Sequence, residues 1–154
     1  MLDALSFYRL AHTLHQAGFR RIAQALTKVS RIAFSAHVPA GATIGERCEL
    51  GYGGLGIVIH SDAVIGNDVL ISPGVVIGGR SELKGVPVIE DGVKIGCGAK
   101  VLGPIRIGAG ANIGANAVVV HDVEPGDTVV GIPARSAQRS TVRQIERARM
   151  PAQR

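Results

Sequence analysis

The chain has 154 residues, 46% of them hydrophobic, with 21 glycines, 3% aromatics, no tryptophan and a net charge of +5. That length fits one domain with an aliphatic core and many tight corners, and leaves no room for a second catalytic domain. The basic excess gathers at the two ends without interleaved aromatics, which reads as solvated terminal segments compatible with an anionic ligand and argues against nucleic acid as a partner.

In chain order, residues 1–35 come first as a helical segment. Leu5, Tyr8, Ala11 and Leu14, then Ile22, Ala25, Leu26, Val29, Ile32 and Ala33, recur at three-to-four spacing with a break at Gly18. This predicts two short amphipathic helices packed over one end of the domain formed by residues 36–135. Asp3, two histidines and several arginines interrupt the apolar positions of this segment, unlike a signal peptide or a membrane span. The expectation is a cytoplasmic protein without membrane insertion.

Residues 36–135 carry the dominant pattern. Aliphatic residues stand every six positions at Ile59, Ile65, Ile71, Ile77, Leu83, Ile89, Ile95, Val101, Ile107, Ile113 and Val119, and upstream at Val38, Ile44 and Leu50. A six-residue step suits neither an amphipathic helix nor a simple alternating strand. It predicts short strands joined by corners, three per triangular coil, with glycine or another small residue letting the backbone turn. The interval from Leu50 to Ile59 is three residues too long, which places a loop at Gly51–Leu55. The stretch 79–87, with two Gly, one Pro and three charges, reads as an extruded loop of about six extra residues, Leu83 keeping phase by accident. The sequence predicts that residues 136–154 are a basic tail, with a short helix that follows Ser140 and runs through Arg149.

Cys48 and Cys97 lie far apart without CxxC or Cys/His metal spacing, so neither a disulfide framework nor a metal site is expected, and both are read as small buried residues. His60 follows Ile59 one coil before Gly78, beneath the corner from which the 79–87 loop leaves. Two readings stand for it: a corner histidine bonded to neighbouring backbone, or a general base, since an imidazole titrates near working pH.

Three runs carry a family resemblance: Ile95-Gly96-Cys97-Gly98-Ala99-Lys100-Val101-Leu102-Gly103, Ile113-Gly114-Ala115-Asn116-Ala117-Val118-Val119, and the closing Val130-Gly131-Ile132-Pro133-Ala134-Arg135. Together with Tyr8-Arg9-Leu10-Ala11-His12, they resemble the hexapeptide-repeat acyltransferases, in particular the serine acetyltransferases and related acetyltransferases of surface-polysaccharide clusters. The resemblance implies an all-β fold, a left-handed parallel β-helix with short helices at both ends. It also implies a homotrimer and acetyl-CoA as co-substrate, without a metal, the acetyl group passing to a hydroxyl of a small acceptor, serine or a sugar precursor.

By resemblance, Cys97 and Ala115 occupy equivalent corners one coil apart beside the pantetheine arm, and Arg135 reaches the cofactor phosphates. Gly79, Gly98, Ala99, Lys100 and Pro133 are further cofactor contacts; the plain alternative for the small residues is tight corners. The chain departs from the family where the acceptor is activated. Tyr52 and Gly53 stand where the relatives carry an Asp-His pair, and Val86 stands where they carry a second histidine. His60 is the catalytic candidate in their place, with Asp62 to orient it. A catalytically degenerate trimeric scaffold is the alternative reading, and a γ-type carbonic anhydrase site lacks the histidines it needs, only His60 and His121 falling in the repeats.

Overall fold

A computed structural model of the chain describes residues 3–136. Its architecture repeats one local rule. In the coils the two-residue strands turn their first side chain outward and bury their second, fully so in Val64–Ile65, Leu70–Ile71, Val88–Ile89 and Lys94–Ile95 and with a half-buried first residue in Asn112–Ile113 and Val118–Val119. The residue two positions before the aliphatic one also faces inward, so that Ala63, Val69, Val93 and Ala99 are at most 1% exposed.

Equivalent strands of successive coils pair in parallel and build three sheets. The first joins 43–44, 64–65, 88–89 and 106–107; the second joins 49–50, 70–71, 94–95, 112–113 and 128–130; the third joins 58–59, 76–78, 100–102 and 118–119. A last strand, Arg135–Ser136, turns back antiparallel on Val129 and Val130. The result is the left-handed parallel β-helix of hexapeptide repeats that the six-residue step and the resemblance imply. The isoleucines at 59, 65, 71, 77, 89 and 95 fill its axis, each at most 1% exposed. Each contributes roughly 1.5–3 kcal/mol of hydrophobic stabilisation.

Register shows where the coil is interrupted. Ile59 pairs with Ile77, 18 residues on, whereas Ile77 pairs with Val101 and Ile65 with Ile89, each 24 residues on. The six surplus residues are extruded within 79–87, and Leu83, in phase with the interior residues, is exposed on that loop. Leu50 pairs with Ile71, 21 residues on; the three surplus residues of this coil are taken up at the four-residue 3-10 turn Gly51–Gly54.

Two helices, α1 (Ala4–Gln16) and α2 (Arg20–Phe34), precede the coils. Helix α1 begins on Asp3, whose carboxylate accepts the Ser6 N–H at 2.8 Å, and buries Ala4, Tyr8 and Ala11 on one stripe. The Tyr8 hydroxyl donates to Ala42 O at 2.8 Å and accepts the Ile44 N–H at 3.1 Å, and Arg9 donates to Ile44 O and Gly45 O. These bonds satisfy the open edge of the first coil. Helix α2 departs from the expectation that both apolar faces pack inward. Ala23 and Ser30 are its fully buried residues, while Ile22, Val29 and Ile32 are 53%, 50% and 85% exposed. The side of α2 that carries Ala23, Leu26, Ser30 and Phe34 takes the inward place against α1, Phe34 packing edge-to-face on Phe7, and the sector of Ile22, Val29 and Ile32 is turned away from it. The helix expected after Ser140 lies outside the described residues.

Candidate active site

Two columns of stacked corners flank the third sheet. The corners leading into it, 72–75, 96–99 and 114–117, form a small-residue column. The Gly98 N–H donates to Pro73 O and the Asn116 N–H to Cys97 O, both at 2.8 Å, so Cys97 and Ala115 stack one coil apart. Two glycines make this stacking possible. A Cβ on Gly96 would stand 2.6 Å from the Ala115 nitrogen, and Gly98 turns the corner at φ +70°, where a side chain is strained.

Cys97 and Ala115 are both exposed, which corrects the reading of Cys97 as a buried residue. The hexad position explains it. Cys48 lies two residues before an interior aliphatic and is buried, its thiol donating to Gly66 O at 3.1 Å and its titration pushed up by burial. Cys97 lies two residues after Ile95, at the apex of the corner. Ala99 is wholly buried and offers a ligand no side chain. Lys100 folds back to donate its amine to Gly98 O at 2.6 Å.

The closing turn caps this column: the Val118 N–H donates to Gly131 O at 3.0 Å and the Ala134 N–H to Val118 O at 2.8 Å. Pro133 and Arg135 are thereby brought to its end, with Arg135 exposed and, among the described residues, donating only to its neighbour Ala134 O at 3.2 Å. At the other end stands the 51–54 turn. Tyr52 adopts φ 52°, ψ 41° and is 89% exposed, beside Gly53 whose Cβ position is open.

The corners leaving the third sheet, at 60–63, 79–87, 103–105 and 120–123, form a loop column. The His60 N–H donates to Ile77 O at 2.8 Å and the Gly103 N–H to Gly78 O at 2.9 Å, so His60 sits one coil from the departure of the loop. Asp62 meets His60 through its backbone, its N–H donating to Nδ1 at 3.1 Å, while its carboxylate lies 4.0 Å from Nδ1 and accepts the Ser61 hydroxyl at 3.1 Å. With Nδ1 accepting, the neutral ring carries its proton on Nε2.

The loop leans toward the later coils, away from His60. Arg80 and Leu83 line a cleft of about 430 Å³ with Gly103, Pro104, Val120 and His121. On its other side Gly79, Arg80, Ser81, Glu82 and Leu102 line a second cleft of about 370 Å³. Neither cleft includes His60. Arg80 borders both, and sequence reasoning misses it; the signal that could find it is its place directly after the Gly78-Gly79 pair that opens the loop.

Of the sequence-predicted residues, one chain therefore brings together Cys97, Gly98, Lys100, Ala115, Pro133 and Arg135, and holds His60 and Gly79 on the opposite column. Among the described residues no three His, Cys, Asp or Glu side chains converge as a metal-binding group, and no helix is long and apolar enough to cross a membrane.

Comparison with known proteins places this geometry. Residues 87–121 match the sequence model of the bacterial transferase hexapeptide (six repeats). The chain is 43% identical over 136 residues to the serine acetyltransferase of Bacillus subtilis, covering 87% of this chain and 62% of that protein. It is 42% identical over 137 residues to the serine acetyltransferase of Helicobacter pylori, covering 88% of this chain and 80% of that one. Among solved structures, soybean serine acetyltransferase complexed with serine superposes with a TM-score of 0.82 at 40% identity, over 87% of this chain and 56% of the soybean chain. The Neisseria gonorrhoeae enzyme superposes with a TM-score of 0.83 at 40% identity, over 89% and 54%. The chain thus spans a little over half of these solved chains and 62% of the Bacillus enzyme. On the six-residue coils, the stacked corners and a 42% match over four-fifths of the Helicobacter protein, the chain belongs to the serine acetyltransferase family of hexapeptide-repeat proteins.

Proposed function

We propose that the chain is an acetyl-CoA-dependent O-acetyltransferase that acts as a homotrimer and acetylates the hydroxyl of serine. The observation that carries this reading is the breadth of the family match, which extends over 136 residues and so includes both corner columns. The exposed surface of the small-residue column fits the co-substrate. Cys97 and Ala115 offer a strip of small exposed side chains for a pantetheine arm, flanked at Gly98 by the Lys100 amine and the Asn116 side chain, and the exposed Arg135 at its end suits phosphates. Bound there, acetyl-CoA would supply the acetyl group as a thioester, whose thiolate is a good leaving group.

Base and strip lie on opposite edges of the third sheet, so a single chain does not join them. A neighbouring subunit presenting its loop column to this small-residue column would, and that is the argument for a trimer. His60 is the proposed base. It takes the acceptor hydroxyl proton as the new ester C–O bond forms, and returns it to the departing sulfur as the C–S bond breaks. To do so its ring must pass its own proton to Nδ1, exchanging the Asp62 N–H for the Asp62 carboxylate 4.0 Å away. Orientation of acceptor and thioester in a water-poor junction supplies the rest.

A sugar hydroxyl is the second reading for the acceptor. It is favoured by Tyr52, an exposed aromatic ring held at positive φ where the relatives' Asp-His pair is absent. The test is thiol release from acetyl-CoA with serine and a panel of sugars, with sedimentation to read the assembly. His60→Ala is expected to lower kcat about 10²- to 10⁴-fold with the fold intact. Unchanged turnover in His60→Ala would reassign the base, and CoA binding without turnover on any acceptor would make the chain a degenerate scaffold.

A further inference from the structure

Helix α2 is divided into three sectors, and only one of them is used by the fold. Winding at about 100° per residue sets Ala23, Thr27, Ser30 and Phe34 on one side. That side faces α1: Ala23 and Ser30 are fully buried, and Phe34 packs edge-to-face on Phe7 with ring centroids 5.4 Å apart. Ile22, Ala25, Val29, Ile32 and Ala33 make a second sector, all exposed. Arg20, Arg21, Lys28 and Arg31 make the third, directly flanking the apolar one, and the helix contains no Asp or Glu. Phe19, exposed at the start of the helix, extends the apolar ridge.

An apolar ridge on a convex helix, with four cations along one flank and no carboxylate, fits a flat anionic partner. A second copy docked ridge to ridge in antiparallel register would set the two cationic flanks side by side, and in either register α2 offers no carboxylate to pair with them. In a lipid interface the ridge enters the acyl boundary while the long Arg and Lys stems carry their charges back to the phosphates. We infer that the outward face of α2 docks the protein on an anionic lipid surface, lying in its plane.

The experiment is flotation of the full chain with phosphatidylcholine vesicles, with and without phosphatidylglycerol. Binding is expected on the anionic vesicles and to weaken with added salt. Arg21→Gln with Lys28→Gln should reduce the affinity about thirtyfold. Val29→Ser with Ile32→Ser should reduce it to background while leaving the melting temperature close to the parent's, since Ile32 is 85% and Val29 50% exposed. The inference would be overturned by no flotation with any vesicle, by flotation indifferent to both double variants, or by a Val29→Ser/Ile32→Ser protein whose sedimentation mass falls, which would assign the ridge to a second copy of the chain. Retention on an acidic polypeptide as tight as on vesicles, with no dependence on Val29 and Ile32, would assign it to a protein partner instead.

Discussion

The two corner columns beside the third sheet are built from the same chain by opposite means. In the small-residue column the turns 72–75, 96–99 and 114–117 have one shape, each linked to its neighbour by a backbone hydrogen bond across the corner. In the loop column no two turns agree: one carries His60, one is the extruded 79–87 loop, one is the tight 103–105 turn beneath Arg80. A repeated turn produces a straight strip, which suits a long invariant ligand such as a CoA arm. An unrepeated one produces hollows of particular shape, which suit a particular acceptor. Within one coil the fold can thus hold a constant half of a site and vary the other.

The contrast can be broken most severely at Gly96. Its missing Cβ would meet backbone atoms of Gly114 and Ala115 at 2.9 and 2.6 Å, which no side-chain movement relieves. Gly96→Ala should cost about 3 kcal/mol in urea denaturation, the upper end of overpacking. Gly79→Ala, on the loop column, meets Gly85 O at 3.3 Å and Val86 Cγ1 at 3.9 Å, both on the loop itself, and should stay within about 0.5 kcal/mol of the parent. Equal losses would mean that the columns are equally constrained. Next in size is Arg135→Ala. Among the described residues the exposed guanidinium bonds only its own neighbour, so its removal should leave the melting temperature unchanged and weaken CoA binding about tenfold in calorimetry.

How much of this the sequence discloses obeys the same division. The interior is legible because it repeats: one aliphatic residue every six positions sets the coil, and the extra residues at 51–55 and 79–87 can be counted from lost phase or composition. Position within the hexad also sorts the cysteines, Cys48 on the inward phase and Cys97 at the outward apex, whereas smallness alone suggests burial for both. Sites on the loop column are less legible. That the 79–87 loop leans toward Gly103 and His121 and leaves His60 outside both clefts depends on where Arg80 and Gly85 come to rest, which no period encodes. Helix α2 fails for a related reason. Three-to-four spacing identifies an apolar sector without saying whether anything in the chain covers it, and here the small sector of Ala23 and Ser30 takes the inward place.

The remaining corner column, which joins the first sheet to the second, offers the smallest effect and a control for the other two. Arg47 and Asp68, on successive turns of it, form a two-pronged pair, Nε to Oδ1 and Nη2 to Oδ2, both at 2.7 Å. The guanidinium holds the Asp68 carboxyl below its ordinary range. A carboxyl with a lowered folded-state pKa contributes stability that is complete above the unfolded value, near pH 4, and is lost as pH falls through the folded one. Both side chains stand in water, so the contribution is small and salt-sensitive. Arg47→Ala should therefore melt slightly below the parent at neutral pH, and the two curves should converge as the pH is lowered past 4. Added salt should close the same gap at pH 7. CoA affinity should not move in either protein, because this column touches neither the strip nor the loop; a change in affinity would show that coils transmit strain across the sheets, and that the two functional columns are not independently built.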